Sequence, residues 1–222
     1  MNAASSRRQR RERLVAELGR PILLMGNGHR ARNLAMSPLP FRQDSTFLYF
    51  TGCIVPGAAV LLTPSGEQLY LPRPSEDDGL WHGPQPTMQE QALALGFETV
   101  RATDQLESDC GPHAGELLSL AVPDDRQTQR AHALTGIELD FDLGKGPSDL
   151  IEAVIQMRRL LEPGEIDAMR SAAKVTAKAH RWAMAVTRPG VHEAELAALF
   201  DAIIGLTALL PSIATSGVKN FR

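Results

Sequence analysis

FRQDSTFLYFTG, residues 41–52, joins a polar start to a run of aromatic and aliphatic residues that ends at a glycine. The run at 47–51 has the length and composition of a buried β-strand and is predicted to form one. Apolar runs bounded by glycine and proline recur on both sides of it. They predict further strands over 21–25, 58–63 and 68–72, the last two joined by the turn Pro64-Ser65-Gly66-Glu67.

Helical segments alternate with these strands along residues 1–148. Near the N-terminus, Leu14, Val15 and Leu18 form an apolar stripe at helical spacing. Helices are predicted over 8–18, 86–96, 112–120 and 125–135, and additional strands near 97–101, 118–122 and 136–140. Alternating helices and strands of this length indicate an α/β domain.

Residues 149–222 form a second predicted region, and its pattern is helical. Helices are predicted over 149–159, from Pro163 onward, and over 191–204. Pro163 suits the first turn of the long helix, because a proline there loses no hydrogen bond. Apolar residues recur in this helix at three- or four-residue steps, so one face is predicted to be buried. His180 falls on that face and is interpreted as a hydrogen-bonded core histidine rather than a catalytic one.

Bulk composition indicates a folded protein and argues against some partners. The 222 residues are 43% hydrophobic and 22% charged, which is enough to build a core. A net charge of −3 gives no electrostatic reason to expect nucleic acid. The chain contains no apolar run of the roughly 18 residues that a membrane span needs. No apolar stretch follows the N-terminal arginines, as a secretory signal would require. A cytoplasmic protein with no nucleic-acid or membrane partner is expected.

Cysteine and histidine positions argue against a metal site. Cys53 and Cys110 are too few for a disulfide framework or a zinc knuckle, and both are expected to be reduced and buried. The 6 histidines form no HExxH or HxH pair. Acidic pairs such as Asp77-Asp78 fall in predicted turns, where solvated loop charge is the simplest interpretation. No transition-metal site is predicted.

A glycine-rich hexapeptide, Gly26-Asn27-Gly28-His29-Arg30-Ala31, matches a dinucleotide fingerprint directly after a predicted strand. That fingerprint requires a helix to begin at once, so that the helix N-terminus can meet the pyrophosphate. Residues 32–40 instead contain two prolines and no helical stripe. The hexapeptide is therefore predicted to be a turn rather than a nucleotide site.

Five segments, taken in order, resemble the aminopeptidase P family. They are FRQDSTFLYFTG at 41–52, Leu80-Trp81-His82-Gly83-Pro84, Met157-Arg158 followed by Glu162-Pro163-Gly164-Glu165-Ile166, Arg188-Pro189-Gly190 followed by Glu195-Leu196, and Pro211-Ser212-Ile213-Ala214-Thr215-Ser216-Gly217. Their order and gaps agree with the family over almost the whole chain. The set is therefore much more specific than any one of its motifs.

The resemblance implies a creatinase-type α/β domain over residues 1–148, with a mixed sheet and flanking helices. Residues 149–222 would be the truncated, helical beginning of a pita-bread (α+β) catalytic domain. Family members remove an N-terminal residue that precedes proline, and they use two manganese ions that activate a bridging water. The implied partners are peptides with proline at the second position and further copies of the chain in a homo-oligomer.

The resemblance assigns no metal ligand and no catalytic residue to this chain. The family's ligands begin with two aspartates eleven residues apart, beyond the segment that resembles 211–217, and no two aspartates here have that spacing. The chain alone is therefore predicted to be inactive and to hold no cofactor, its first domain serving oligomerisation and substrate gating. Uncovered apolar faces over 163–204 are expected to drive self-association. A non-catalytic binding or assembly module with the same fold is the alternative.

Trp81, Arg158 and Arg42 are the candidate substrate-gating residues. In the family a tryptophan in the segment of Trp81 shapes the substrate pocket of a neighbouring subunit, and an ordinary core tryptophan is the alternative. Arg158 matches an arginine near the domain junction that can face the active-site cleft, with a solvated helix charge as the alternative. Arg42 is interpreted chiefly as structural support beside the 47–51 run. Some family members carry an acid in the place of Thr46, facing the cleft.

Overall fold

The computed structural model of the chain describes residues 3–34, 36–74 and 83–215, with side chains over residues 4–205 of these ranges. The chain divides into two compact units, Met1–Leu160 and Leu161–Arg222. Within the described ranges, no helix is long and apolar enough to cross a membrane. The division of the chain into domains after residue 148 remains a prediction.

A mixed sheet organises the first unit. Its strands are β1 Ile22–Met25, β2 Ala59–Thr63, β3 Gly66–Leu71, β4 Val100–Ala102 and β5 Leu118–Ser119, in the spatial order β4-β3-β2-β1-β5. β1, β2 and β3 are antiparallel neighbours, with Leu61 of β2 opposite Leu23 of β1 and Gln68 of β3. β4 runs parallel to β3, and β5 runs parallel to β1. The predicted α/β class is confirmed.

Helices flank this sheet. In chain order they are α1 Ala3–Leu18, α2 Ser45–Thr51, α3 Met88–Leu95, α4 Leu106–Cys110, α5 Asp125–Thr135 and α6 Ser148–Arg159. Short 3-10 turns, Thr103–Gln105 and Gly111–His113, lie on either side of α4. The helices predicted at 8–18, 86–96, 125–135 and 149–159 are confirmed, although α1 begins earlier than expected.

β1 is apolar on both faces because helices pack against each side of the sheet. Ile22 and Leu24 belong to one buried cluster, which also contains residues of α1, α2 and α6. Leu23 and Met25 belong to a second cluster, together with residues of α4 and α5. Successive residues of a strand point to opposite faces. An uninterrupted apolar run is therefore what a strand between two layers requires.

The strand predicted at 47–51 is wrong, since these residues lie in helix α2. Asp44 caps the helix N-terminus, where its Oδ1 accepts a hydrogen bond from the Phe47 backbone N–H at 2.7 Å. Gly52 ends the helix in the left-handed conformation, at φ 67°, which favours glycine. Phe47 and Phe50 both enter the core from this one turn. Capping at both ends thus outweighs the strand propensity of aromatic residues.

Two further predictions are corrected by the described residues. A 3-10 turn and β5 take the place of the helix predicted over 112–120, because Pro112 and Gly115 interrupt a continuous helix. The strand predicted near 136–140 is reduced to one isolated bridge, between Asp140 and Lys145. Helix α4 was not predicted, since its 5 residues are too few to show an apolar stripe.

Arg11 is a buried charge that connects α1 to three other parts of the first unit. Its side chain is 1% exposed and forms a two-pronged ion pair with Glu67 of β3, at 2.6 and 2.8 Å. It also donates a hydrogen bond to the Phe50 carbonyl of α2, at 2.8 Å. The guanidinium carbon lies 3.9 Å from the centre of the Phe97 ring. Pairing of this kind is what allows a charge to be buried at all.

The described residues of the second unit form two helices, α7 Pro163–Val186 and α8 Glu193–Thr215. A capping box between Glu162 and Glu165 begins α7, which confirms its predicted start. α8 continues past residue 204, where its end was predicted, to Thr215. Leu206, Ala208, Leu209 and Leu210, residues that favour helix, lie in the first part of that continuation.

The predicted burial of one face of α7 is wrong. Ala179 is buried, but Met169 and Met184 are 59% and 75% exposed. His180 is also exposed. Its ring makes an edge-on contact with Phe200 of α8, at 4.9 Å between centroids, in place of the expected buried hydrogen bond. One neighbouring helix is too little to cover the whole apolar stripe of α7.

Candidate functional site

A cavity of about 670 Å³ opens in the first unit where several loops meet. It lies among the loop after β1, the start of α2, the segment before α5 and the end of α6. Its polar lining includes Asn27, Arg30, Arg42, Asp44, Asp124 and Arg158, and its apolar lining includes Leu39, Phe41 and Phe141. The volume falls within the range of small-molecule sites.

Gln43 holds the loop after β1 against the start of α2. Its side chain is buried, and its Oε1 accepts hydrogen bonds from the backbone N–H groups of Asn27, at 2.6 Å, and Asp44, at 2.9 Å. Its Nε2 donates to the Val55 carbonyl at 3.1 Å. A Cβ at Gly26 would lie within 3.0 Å of the Gln43 amide. Glycine at that position therefore permits the close approach that the loop needs.

Asp124 connects the loop after β1 to α5. Its Oδ1 caps α5 by accepting from the backbone N–H groups of Arg126, at 3.0 Å, and Gln127, at 3.2 Å. Its Oδ2 accepts from the Gly28 N–H at 2.9 Å. A Cβ at Gly28 would lie 3.1 Å from that oxygen, so the loop passes close to the carboxylate. Both oxygens of Asp124 are therefore occupied by backbone donors.

Asp44 supplies the second carboxyl of the cavity, and it too serves as a helix cap. The residue is buried and accepts from the Phe47 N–H. Burial raises the pKa of Asp44 above its usual value, while the bond from Phe47 and the charge of Arg158 act against the rise. This carboxyl is therefore engaged with the backbone of α2 rather than open to a ligand.

Arg158, in the last turn of α6, reaches the cavity beside the start of α2. Its Nη1 donates to the Thr46 hydroxyl at 2.9 Å, and its guanidinium carbon lies 5.8 Å from the centre of the Tyr49 ring. The Tyr49 hydroxyl donates to the Met157 carbonyl at 3.2 Å, which positions the ring beside α6. The resemblance implies that some family members carry an acid at the position of Thr46, and this chain has a neutral hydroxyl there. Thr46 therefore orients Arg158 without neutralising it.

Arg30 and Arg42 bring two more guanidinium groups to the cavity wall, and both are exposed. Asn27 Nδ2 donates to the Arg42 carbonyl at 3.0 Å and so fixes the backbone there. No ion pair joins Arg30, Arg42 or Arg158 to an acid within the described part of the chain. Three guanidinium groups face two carboxyls in this lining, and the slight excess of positive groups favours an anionic or carbonyl-rich ligand.

The structure brings two of the three predicted gating residues together. Arg42 and Arg158 line the same cavity, whereas Trp81 lies outside the described residues. Their role in substrate gating remains a prediction. Sequence reasoning missed Asn27 and Gln43, although Gln43 directly follows Arg42 in the FRQDS motif.

Metal ligands are not gathered at this cavity or elsewhere in the described ranges. No group of three or more His, Cys, Asp or Glu side chains there is placed to hold a metal ion. Cys53 and Cys110 are free and buried, and burial, followed by the charge of Asp109, raises the pKa of Cys110 to about 11. A thiol with such a pKa is protonated at neutral pH and is a poor ligand. These residues do not fit a two-metal centre, and no catalytic step is assigned to them.

Comparison with known proteins bears directly on this cavity. Residues 7–116 match the family model described as the aminopeptidase P N-terminal domain. Residues 7–116 belong to the aminopeptidase P N-terminal domain family. In this aminopeptidase P-like chain the matched range contains β1, the loop after it and α2, which form one side of the cavity. The resemblance inferred from the five segments is therefore confirmed.

A curated relative from Aspergillus fumigatus is named "Probable Xaa-Pro aminopeptidase pepP". It is 26% identical over 172 residues, which cover 74% of the aminopeptidase P-like chain and 35% of the relative. The chain thus spans about a third of the length of this curated relative.

Solved aminopeptidase P structures from Escherichia coli share the fold. The low-pH form has a TM-score of 0.75 at 22% identity, covering 93% of the present chain and 50% of the other. A zinc-substituted form in complex with product has a TM-score of 0.73 at 22% identity, covering 91% and 49%. Identities this low support the fold alone, and the chain spans about half of each structure.

Proposed function

We propose that this chain is the N-terminal portion of a Xaa-Pro aminopeptidase-like metallopeptidase, whose full-length form removes the residue that precedes proline from a peptide's N-terminus. The family match over residues 7–116 is the observation that carries the proposal. The curated relative named a probable Xaa-Pro aminopeptidase supports the substrate class. Residues 1–148 form the family's N-terminal domain and residues 149–222 the beginning of its catalytic domain. The protein acts in the cytoplasm on peptides with proline at the second position.

Arg42 and Arg158 contribute to substrate gating in the full-length protein. Their shared position on one cavity supports this role, as does the lack of an acid partner for either among the described residues. Guanidinium groups can donate several hydrogen bonds to the carbonyl and carboxylate oxygens of a peptide. Trp81 is proposed to add an aromatic surface for the proline ring.

The 222-residue chain alone does not hydrolyse peptides in this proposal. In a full-length family member, two manganese ions polarise the scissile carbonyl and supply a nucleophile at neutral pH. The described residues gather no ligand set for such ions. The zinc-substituted E. coli structure shows that its own protein accepts a metal. Loss of the ligands would therefore abolish turnover while leaving the N-terminal domain folded.

Oligomerisation is the second proposed role of the chain. Met169 and Met184 on α7 are largely exposed, and apolar surface of this kind favours contact with another copy. Light scattering over a range of concentrations tests this role, with an average mass that rises with concentration as the expected result. A strict monomer at high concentration would contradict it.

A peptidase assay tests the proposed lack of activity. The purified chain is incubated with the tripeptide Arg-Pro-Pro and manganese chloride, and free arginine is measured by mass spectrometry. No release above the buffer blank is expected. Turnover that grows with the concentration of the chain would overturn the assignment.

Genomic sequence directly after the Arg222 codon tests the proposed parent protein. A continuation in any frame that contains the family's paired aspartates and its later histidine and glutamates supports a metallopeptidase parent. Non-coding sequence there would favour the alternative, a binding or assembly module.

A further inference from the structure

The cavity is lined by three guanidinium groups and two carboxyls, so positive groups are in slight excess. Arg30, Arg42 and Arg158 all line it, and none is ion-paired within the described part of the chain. The carboxyls of Asp44 and Asp124 accept hydrogen bonds from the backbone at the starts of α2 and α5. Guanidinium groups arranged around a concave site recognise carboxylate and phosphate oxygens.

Asn27 adds a hydrogen-bond acceptor to the same wall. Its Oδ1 is buried and has no partner among the described residues, although the residue lines the cavity. The orientation of the amide is fixed, because its Nδ2 donates to the Arg42 carbonyl at 3.0 Å. A buried acceptor is stabilised by an N–H or O–H donor. Because the oxygen has almost no exposed surface in the empty cavity, a ligand N–H would reach it only with a small movement of the cavity wall.

Another part of the cavity wall is apolar. Leu39 and Phe41 come from the loop before α2, and Phe141 comes from the turn before α6. Leu39 is 40% exposed and Phe141 is 49% exposed, so both present apolar surface to the opening. This surface would shield an aliphatic or aromatic group from water.

We propose that the cavity binds a small organic carboxylate that carries an N–H donor and an apolar side chain, as the C-terminal residue of a peptide or an N-acyl amino acid does. Arg42, with Arg30 and Arg158, would hold the carboxylate, and Asn27 Oδ1 would accept the N–H. The apolar side chain would lie against Phe41 and Phe141. The inference builds on the proposed substrate-facing role of Arg42 and Arg158, but its test involves no hydrolysis.

Isothermal titration calorimetry with matched probes tests the site on the 222-residue chain. N-acetyl-leucine carries the three proposed features, and N-acetyl-leucinamide lacks only the carboxylate. The acid is expected to bind at least about tenfold more tightly than the amide, as loss of a charge-assisted hydrogen bond predicts. Equal binding of acid and amide would overturn the proposal. So would equally tight binding of inorganic phosphate, since phosphate offers neither the amide nor the side chain.

Two arginine variants and one control locate the binding. Arg42→Gln and Arg158→Gln should each weaken binding of N-acetyl-leucine about tenfold. Arg32→Gln removes an equal charge from the same exposed loop without touching the cavity, and it should leave binding unchanged. Circular dichroism establishes that each variant is folded. A uniform weakening by all three variants would contradict a specific site.

The tripeptide Gly-Gly-Leu identifies the source of the ligand. Tighter binding of this tripeptide than of N-acetyl-leucine would assign the site to peptide termini, and equal binding would assign it to small N-acyl acids. If the chain binds these acids but the genomic test finds no Xaa-Pro peptidase parent, the site stands and only the proposed function is refuted. If the parent is a metallopeptidase but the chain binds the acid and the amide equally well, the proposed function stands and the carboxylate site is refuted.

Discussion

Replacing Arg11 with methionine should destabilise the first unit severely. Arg11 is 1% exposed and its partner Glu67 is 21% exposed, so the variant would leave a partly buried carboxylate without its counter-charge. It would also leave the Phe50 carbonyl without its donor and remove the guanidinium from the Phe97 ring. Breaking a buried ion pair by removing one partner typically costs about 3–5 kcal/mol.

The lower end of that range applies here, because the exposed fifth of Glu67 can regain some hydration. About 3 kcal/mol should lower the melting temperature of a unit of this size by roughly 6–12 °C. Urea denaturation monitored by circular dichroism measures the free energy of unfolding directly. Arg13→Met is the matched control, since Arg13 is an exposed arginine on the same helix and its loss should change stability by less than about 0.5 kcal/mol.

A double-mutant cycle separates the ion pair from simple packing. Adding Glu67→Leu to Arg11→Met should recover part of the lost stability, because the second change removes the unpaired carboxylate. Two results would refute the reasoning. One is an Arg11→Met variant as stable as Arg13→Met, and the other is a double variant whose losses simply add.

Three further predictions concern a cap, a turn and a thiol. Burial raises the pKa of Asp44 above 3.8 in the folded state, so the folded state binds the proton more tightly than the unfolded state does. The stability that this carboxyl contributes is therefore fullest below pH 3.8 and is lost as the pH rises through its folded pKa. Asp44→Asn keeps a capping oxygen and should be about as stable as the wild type at pH 7. As the pH falls toward 4, the wild type should become the more stable of the two, and urea titrations that show the opposite trend would contradict this. Asp44→Ala should lose about 1 kcal/mol of stability, because it removes the cap. Gly52→Ala should lose about 1–2 kcal/mol, because φ is 67° and the new methyl group would overlap the Arg7 guanidinium; an unchanged melting temperature would show that the turn tolerates a side chain. Because burial raises the pKa of Cys110 to about 11, iodoacetamide at pH 8 should label this thiol only after unfolding in urea, and rapid labelling of the native chain, seen by mass spectrometry, would contradict its burial.

The strands beside β1 could be predicted because their signal is local and strong. Residues 22–25 are uninterruptedly apolar and residues 59–63 nearly so, and the turn Pro64-Ser65 before β3 marks the hairpin. The run at 47–51 has the same composition and was predicted wrongly. What decides its structure is the Asp44 side chain bonded to the Phe47 N–H, together with the left-handed Gly52. Such capping geometry shows clearly only when the chain is folded.

The cavity could be predicted only in part. Arg42 and Arg158 are 116 positions apart in the sequence, and only the family resemblance suggested that both face a substrate. Their meeting at one cavity depends on how α6 packs beside α2, which no local pattern encodes. Asn27 was weighed only as part of a nucleotide-binding fingerprint, and its unpartnered amide oxygen is a property of the folded loop.

The exposed stripe of α7 agrees with the expectation of uncovered apolar faces over 163–204, whereas the burial predicted from spacing alone was wrong. Regular apolar spacing at positions such as 166, 169, 173 and 177 indicates a face that can be buried. It does not indicate what is available to cover that face. Within the second unit α7 packs on α8, and Met169 and Met184 stay exposed.

Titration of manganese into the purified chain shows whether this part of an aminopeptidase P-like protein lacks the ligands for metal-dependent hydrolysis. Electron paramagnetic resonance of Mn²⁺ titrated into the chain distinguishes free hexaaqua ions from protein-bound ions. The signal of the free ion should grow in proportion to added metal, with no stoichiometric bound fraction. Saturable binding of manganese by the chain's own carboxylates or imidazoles, with coupling between two ions, would contradict it.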